Sequence, residues 1–138
     1  MDSRREEFLA GESPDDVHIY LHEAAVSNLA PLDPYGERVD DGIVLVLDGE
    51  RARGVFQQAT GIDPMALARE AMATDGEINR ECDRGTCPSC DGAPRLVFAF
   101  AEAQNEAVGG IYAAGDVIHA YAACECGERY SKKWVAGG

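Results

Sequence analysis

The sequence predicts an α+β protein: a small, mostly antiparallel sheet, two or three helices, and a zinc-ribbon-like element at the C-terminal side. Three observations lead there. Ile43-Val44-Leu45-Val46-Leu47 is an unbroken β-branched and apolar run, the pattern of a strand buried on both faces. Ala52, Val55, Phe56 and Ala59 recur at i, i+3, i+4 and i+7, the stripe of an amphipathic helix. From about residue 80 cysteines begin, and strand patterns replace helical ones.

Taken in order, Ser3 to Leu9 suit a short N-terminal helix, stopped by Gly11 and Pro14. Val17, Ile19 and Leu21 alternate with His18, Tyr20 and His22, as a strand requires. A helical turn is expected over Glu23 to Leu29, then a loop at Pro31, Pro34, Tyr35 and Gly36. Asp48-Gly49 turns the chain after the apolar run. Gly61 stands where a left-handed helix cap belongs, and Asp63-Pro64 is an N-cap followed by a first-turn proline. The helix they open runs through Met65, Ala68, Ala71 and Met72 to Thr74–Gly76. Leu96 to Ala101 is a strand, and Glu102 to Val108 a helical turn stopped by Gly109-Gly110. Ile111 to Ala113 is expected to pair with Val117 to Cys124 as a hairpin. Glu128 to Val135 is the last strand.

The chain has 138 residues, enough for one ordinary domain with a modest core. We expect a single domain over 1–138 with two subregions. Residues 1–79 carry a net charge of −11 and residues 80–138 one of −2. Overall, 25 acids face 12 bases, and only Lys132 and Lys133 are lysines. The 46% apolar content excludes a disordered chain. An acidic, lysine-poor surface holds water and cations, which suits a salt-rich cytoplasm. The rival reading is an acidic surface shaped for a basic partner, although salt at 1 M screens such attraction beyond roughly 3 Å. The N-terminus lacks the apolar segment of a secretory signal, and Ile43 to Leu47 is too short to span a bilayer. The expectation is a cytoplasmic protein without membrane contact.

Five cysteines in such a chain point to metal or redox chemistry. Cys87-Pro88-Ser89-Cys90 is followed, after 33 residues, by Cys124-Glu125-Cys126-Gly127. Two such turns, brought together by a sheet, can present four thiolates to a tetrahedral zinc. Pro88 presets the first turn; Gly92 and Gly127 relieve crowding beside the sulfurs. The predicted ligands are therefore Cys87, Cys90, Cys124 and Cys126. The second pair is tighter than the usual C-x-x-C. A rubredoxin-like iron could use the same four sulfurs. Four thiolates leave no position for water, so the metal's role would be structural. The competing reading is a redox pair at Cys87 and Cys90. That chemistry needs a helix starting at the motif to stabilise a thiolate, and Asp91-Gly92-Ala93-Pro94 opposes one. A third reading makes some cysteines small buried apolar residues. Cys82 is expected to be a non-ligand.

Other candidates are weaker. His18 and His22, at i and i+4, share a face, with Asp15, Asp16 and Glu23 available as further ligands; ordinary surface or partly buried histidines are the default reading. His119 is either a donor to a cysteine sulfur or a plain core or surface imidazole. Tyr130, Lys132 and Trp134 share one face of the last strand. Such a patch can stack bases and neutralise phosphate, or simply pack a hairpin. Arg129 and Lys133 lie opposite, and the net charge of −13 opposes nucleic acid. No G-x-S-x-G, Walker loop or dinucleotide fingerprint is present.

R-E-E-F-L-A-G (5–11), Y-G-E-R-V-D-D-G-I-V-L-V-L (35–47), A-T-G-I-D-P-M (59–65), V-F-A-F-A-E-A-Q-N-E (97–106) and G-D-V-I-H-A-Y-A (115–122) form a signature over nearly the whole chain. On these stretches the chain resembles a haloarchaeal domain-of-unknown-function family of small acidic proteins. The resemblance implies a halophilic, cytoplasmic protein and brings no catalytic residue; the zinc reading rests on cysteine spacing.

The expected function is a non-enzymatic, zinc-stabilised binding or regulatory module with a protein partner. The alternative is a thiol-dependent redox or metal-handling protein using Cys87 and Cys90. An enzyme of unrecognised type is the third class.

Overall fold

The computed structural model describes residues 4–10, 16–25, 30–39, 42–102, 107 and 109–136. The chain runs through helix α1 (Arg4–Leu9), strand β1 (Asp16–His22), a 3-10 helix (Ala30–Tyr35), β2 (Gly36–Val39) and β3 (Gly42–Asp48). Helices α2 (Gly49–Thr60) and α3 (Pro64–Ala71) follow. Then come β4 (Glu77–Ile78), β5 (Gly85–Thr86), β6 (Pro94–Glu102), the short helix α4 (Ile111–Ala114), β7 (Val117–Cys124) and β8 (Arg129–Val135).

Six strands form one sheet in the order β2-β3-β1-β6-β7-β8, and each neighbouring pair is antiparallel. The fold class is α+β with a mostly antiparallel sheet, as the sequence predicts. β1 lies between β3 and β6, so strands from the acidic and the cysteine-bearing subregions share one sheet.

Strand alternation sends two different sets of side chains to the two faces. Val17, Ile19, Ile43, Leu45, Leu96 and Phe98 meet Phe56 of α2 and Leu67 of α3 in one buried cluster. Phe56 meets Phe98 edge to face, with ring centroids 5.1 Å apart, the geometry aromatic quadrupoles prefer. Both helices begin and end as their sequences dictate. The Asp48 carboxylate accepts from the Arg51 N–H, so Asp48-Gly49 starts α2 directly instead of making a free turn. Gly61 closes α2 with φ +74°, its N–H donating to Gln57 O. The Asp63 carboxylate accepts from Met65 N–H ahead of α3, with Pro64 in its first turn.

The opposite face carries small residues on the central strands, among them Ala99, Ala120 and Ala122. Irregular chain settles against them, with Phe8, Ile78, Cys82, Cys87 and Tyr130 in the same cluster. At Gly76 the main chain lies on the Tyr130 ring: an added Cβ would come within 2.3 Å of Tyr130 Cδ2. The N–H of Gly76 donates to Ser131 O, and the N–H of Ser131 donates to Thr74 O. That exchange covers the middle of edge strand β8.

Two expectations are corrected. Ile111 to Ala113 form no hairpin with Val117 to Cys124. Ile111–Ala114 is a helical turn, because both sides of β7 are taken by β6 and β8. The Pro31–Gly36 loop is a 3-10 helix, and β2 follows it as an edge strand on β3. Glu102 ends β6, and residues 103–106 and 108 of the expected helical turn lie outside the described residues. So do Gly11, Pro14 and residues 26–29; Ala25 N–H does close a turn on His22 O.

Candidate metal centre

The β6–β7 pairing assembles the site. Pro94 stands opposite Cys124, with an irregularity between Pro94 and Leu96. The turn entering β6 and the turn leaving β7 therefore meet at one end of the sheet. In the first turn, Cys87 N–H donates to Gly92 O and Asp91 N–H donates to Cys87 O. Asp91 takes φ +61°, which Asp tolerates better than most residues. In the second turn, Gly127 takes φ +94° and donates its N–H to Cys124 O. Cys124 N–H donates to Glu128 O, which fastens the β7–β8 connection.

The sulfurs of Cys87, Cys90, Cys124 and Cys126 all lie within 4.8 Å of one another. Two close approaches run between the turns: Cys90 to Cys124 at 3.3 Å and Cys87 to Cys126 at 3.6 Å. A disulfide needs about 2.05 Å. Tetrahedral zinc thiolate, with bonds of about 2.3 Å, needs sulfurs about 3.8 Å apart. The spacing suits a shared cation and not a covalent pair. Gly92 is needed for this closeness, since a Cβ there would stand 3.2 Å from Cys90 Sγ and 3.5 Å from Cys124 Sγ.

Cys87 and Cys124 are buried, and Cys90 and Cys126 are exposed. Burial pushes the Cys87 thiol up, but the backbone N–H groups of Cys90 and Ser89 and the neighbouring thiols outweigh it. They bring it down to about 7. Cys90 is held above the ordinary thiol range, chiefly by Cys124. Cys124 is raised first by burial. At Cys126 the Glu128 backbone donor pulls down, while Cys90, burial and Cys87 together carry the thiol up. One thiolate forms readily and the others resist, as crowded like charges must. A divalent cation reverses that balance.

Tyr130, a candidate for either a stacking patch or ordinary hairpin packing, borders this centre. It is fully buried, and its hydroxyl has no hydrogen-bond partner among the described residues. Burial, then the negative charge of the four cysteines, raises its pKa. Trp134 is buried too, and Lys132 reaches Glu77 at 3.3 Å; among the described residues no stacking surface forms on that side of β8. The sequence carried no signal for the Tyr130 position beyond strand alternation.

Cys82 is buried in the apolar cluster at φ +58°, outside the four-sulfur group. Its loop is fastened by Asn79, whose side-chain oxygen accepts from the N–H groups of Asp83 and Arg84. His18 is buried against Phe8, ring centroids 5.7 Å apart, and His22 accepts from Ala24 N–H. Asp15 lies outside the described residues. Among the described residues the cysteine group is the metal-type cluster. His119 faces Glu102 at 3.3 Å and stacks on Phe100. No helix starts after Cys90; Pro94 opens β6. The helix dipole required by the redox reading is missing from its place.

An antiparallel α+β sheet with four thiols gathered where two strands meet belongs to the class of small proteins able to hold a metal ion on cysteine turns. Residues 36–137 match DUF5807, a family of unknown function, and the chain belongs to that family. No curated protein and no solved structure matches it. The matched range takes in the family stretches from Gly36 onward, while R-E-E-F-L-A-G precedes it. No helix among the described residues is long and apolar enough to cross a membrane.

Proposed function

We propose that Cys87, Cys90, Cys124 and Cys126 hold one structural zinc ion in a zinc-ribbon-like element. The protein is then a non-enzymatic binding or regulatory module of a salt-rich cytoplasm, acting on a protein partner. The observation that carries this reading is the gathering of four sulfurs within 4.8 Å, the close approaches running between the two turns. With four thiolates bound, the ion has no open position for catalysis. Its contribution is shape: it fixes the turns and the irregular chain above them. The excess of acids, 25 against 12 bases, supports the salt-rich setting.

The test is metal content, by native mass spectrometry and elemental analysis of protein purified reduced in high potassium chloride. One retained zinc is expected, lost together with the ordered cysteine turns in Cys87→Ser and Cys124→Ser. A folded protein without metal overturns the proposal. Retained iron keeps the site and replaces the ion. The lowered Cys87 thiol, about 7, favours one second reading, a redox pair with Cys90. That reading requires reversible Cys87–Cys90 oxidation with the fold intact.

A further inference from the structure

A second site lies away from the cysteines, on the helix-covered face of the sheet. α3 crosses β7 and β8 without covering them completely. Its exposed Met65 and Met72, 44% and 65% accessible, form one wall of a groove of about 530 Å³. That volume falls within the usual range for small-molecule sites, about 300–1,000 Å³. The floor is a cross-strand row. Phe100 stands opposite His119, and His119 stands opposite Lys133. The Phe100 and His119 rings are stacked, 5.3 Å apart at 24°, and Tyr121 follows at 5.7 Å from Phe100.

The charge of this groove departs from the rest of the molecule. The whole chain carries −13, yet the groove is lined by Arg69, Lys132 and Lys133 against Asp75 and Glu102. Both lysines of the chain stand here; every other base is arginine. A lysine ammonium is a compact charge suited to phosphate. Lys132 pairs with Glu77 at 3.3 Å, groups 41% and 73% exposed, and such a surface pair holds its ammonium only weakly.

We propose that this groove binds a nucleoside phosphate. The base lies along the Phe100 row between the methionines, since every base offers a π-face to an aromatic platform and a thioether sulfur sits favourably at a ring edge. Lys133, Lys132 and Arg69 meet the phosphate. Glu102 and Asp75 accept from sugar hydroxyls or base amino groups. A peptide would need a longer track, whereas this groove has the dimensions of a single small molecule. The proposal stands independently of the zinc reading, because α3 and the far ends of β6–β8 build the groove.

The experiment is calorimetric titration of the purified protein, at low and at high potassium chloride, with AMP, GMP, CMP and UMP. Saturable one-to-one binding of at least one is expected. It should weaken about tenfold in Lys133→Gln, as loss of one charge-assisted hydrogen bond implies, and further in Met72→Glu. Both positions are exposed, so the variants keep the fold. The matching nucleoside alone and inorganic phosphate alone should each bind at least about tenfold more weakly. Three results overturn the proposal: no saturable binding of any of the four, binding unchanged in both variants, or tighter capture of a glutamate-rich peptide.

Discussion

The two faces of the sheet are built by different means. The helix face is closed by two capped helices and by large apolar side chains, Phe56, Leu67, Ile19, Leu45 and Phe98 among them. The cysteine face is covered by Phe8 of the short helix α1 and by irregular chain, which lie on alanines and on Tyr20, Val44, Val97 and Ile118; two two-residue strands are the regular pairing there among the described residues apart from the sheet itself. On one face, burial of each large side chain supplies about 1.5–3 kcal/mol. On the other, Phe8, Tyr20, Ile118, Tyr130 and Trp134 are buried as well, and four thiols stand where the chain turns. Hydrophobic packing closes both faces, and the cysteine face adds a group of four thiols that could hold a metal ion.

The contrast is open to direct attack. The largest effect should come from a zinc chelator applied to reduced protein, since structural zinc contributes roughly 10–16 kcal/mol in zinc-finger peptides. Hydrogen exchange should show amides of residues 77–92 and 124–128 losing protection while β1, β3 and α2 keep theirs. Simultaneous loss on both faces would mean one cooperative unit and end the contrast. Phe56→Ala should do the reverse. It removes a fully buried ring at a cost of about 3–5 kcal/mol in denaturant unfolding, with metal stoichiometry unchanged. Loss of metal in that variant would show that the helix face holds the cysteine turns in place. Asp48→Ala should cost about 1 kcal/mol by removing the α2 N-cap bond, read as a small drop in thermal midpoint. A larger drop would assign Asp48 more than capping.

Local chemistry was readable in the sequence. Gly61, Asp63 and Pro64 announce the ends of α2 and α3 because caps depend on a few adjacent residues. Cysteine spacing picked out the four sulfurs that the fold gathers and left Cys82 aside. What depended on distant partners was not readable. Gly36–Val39 carries no alternation, since an edge strand of exposed charges has only one neighbour to satisfy. Ile111 to Ala113 has strand-like residues but no available lane in the sheet. The approach of Cys90 to Cys124, and the Phe100–His119–Lys133 row, exist only through the register of β6, β7 and β8.

The place of β1 sets an order of events for a growing chain. β1 meets β3 within the first 48 residues, but its other edge waits for β6, where Val17 stands opposite Phe100. Synthesis at about 5–20 residues per second leaves that edge, rich in Val, Ile, Tyr and Leu, uncovered for several seconds. During that interval it is a template for any other extended chain nearby. An acidic leading segment, with a net charge of −11 over residues 1–79, repels its own copies at close range. The surplus of carboxylates then serves the nascent polypeptide on a crowded polysome before it serves the finished molecule.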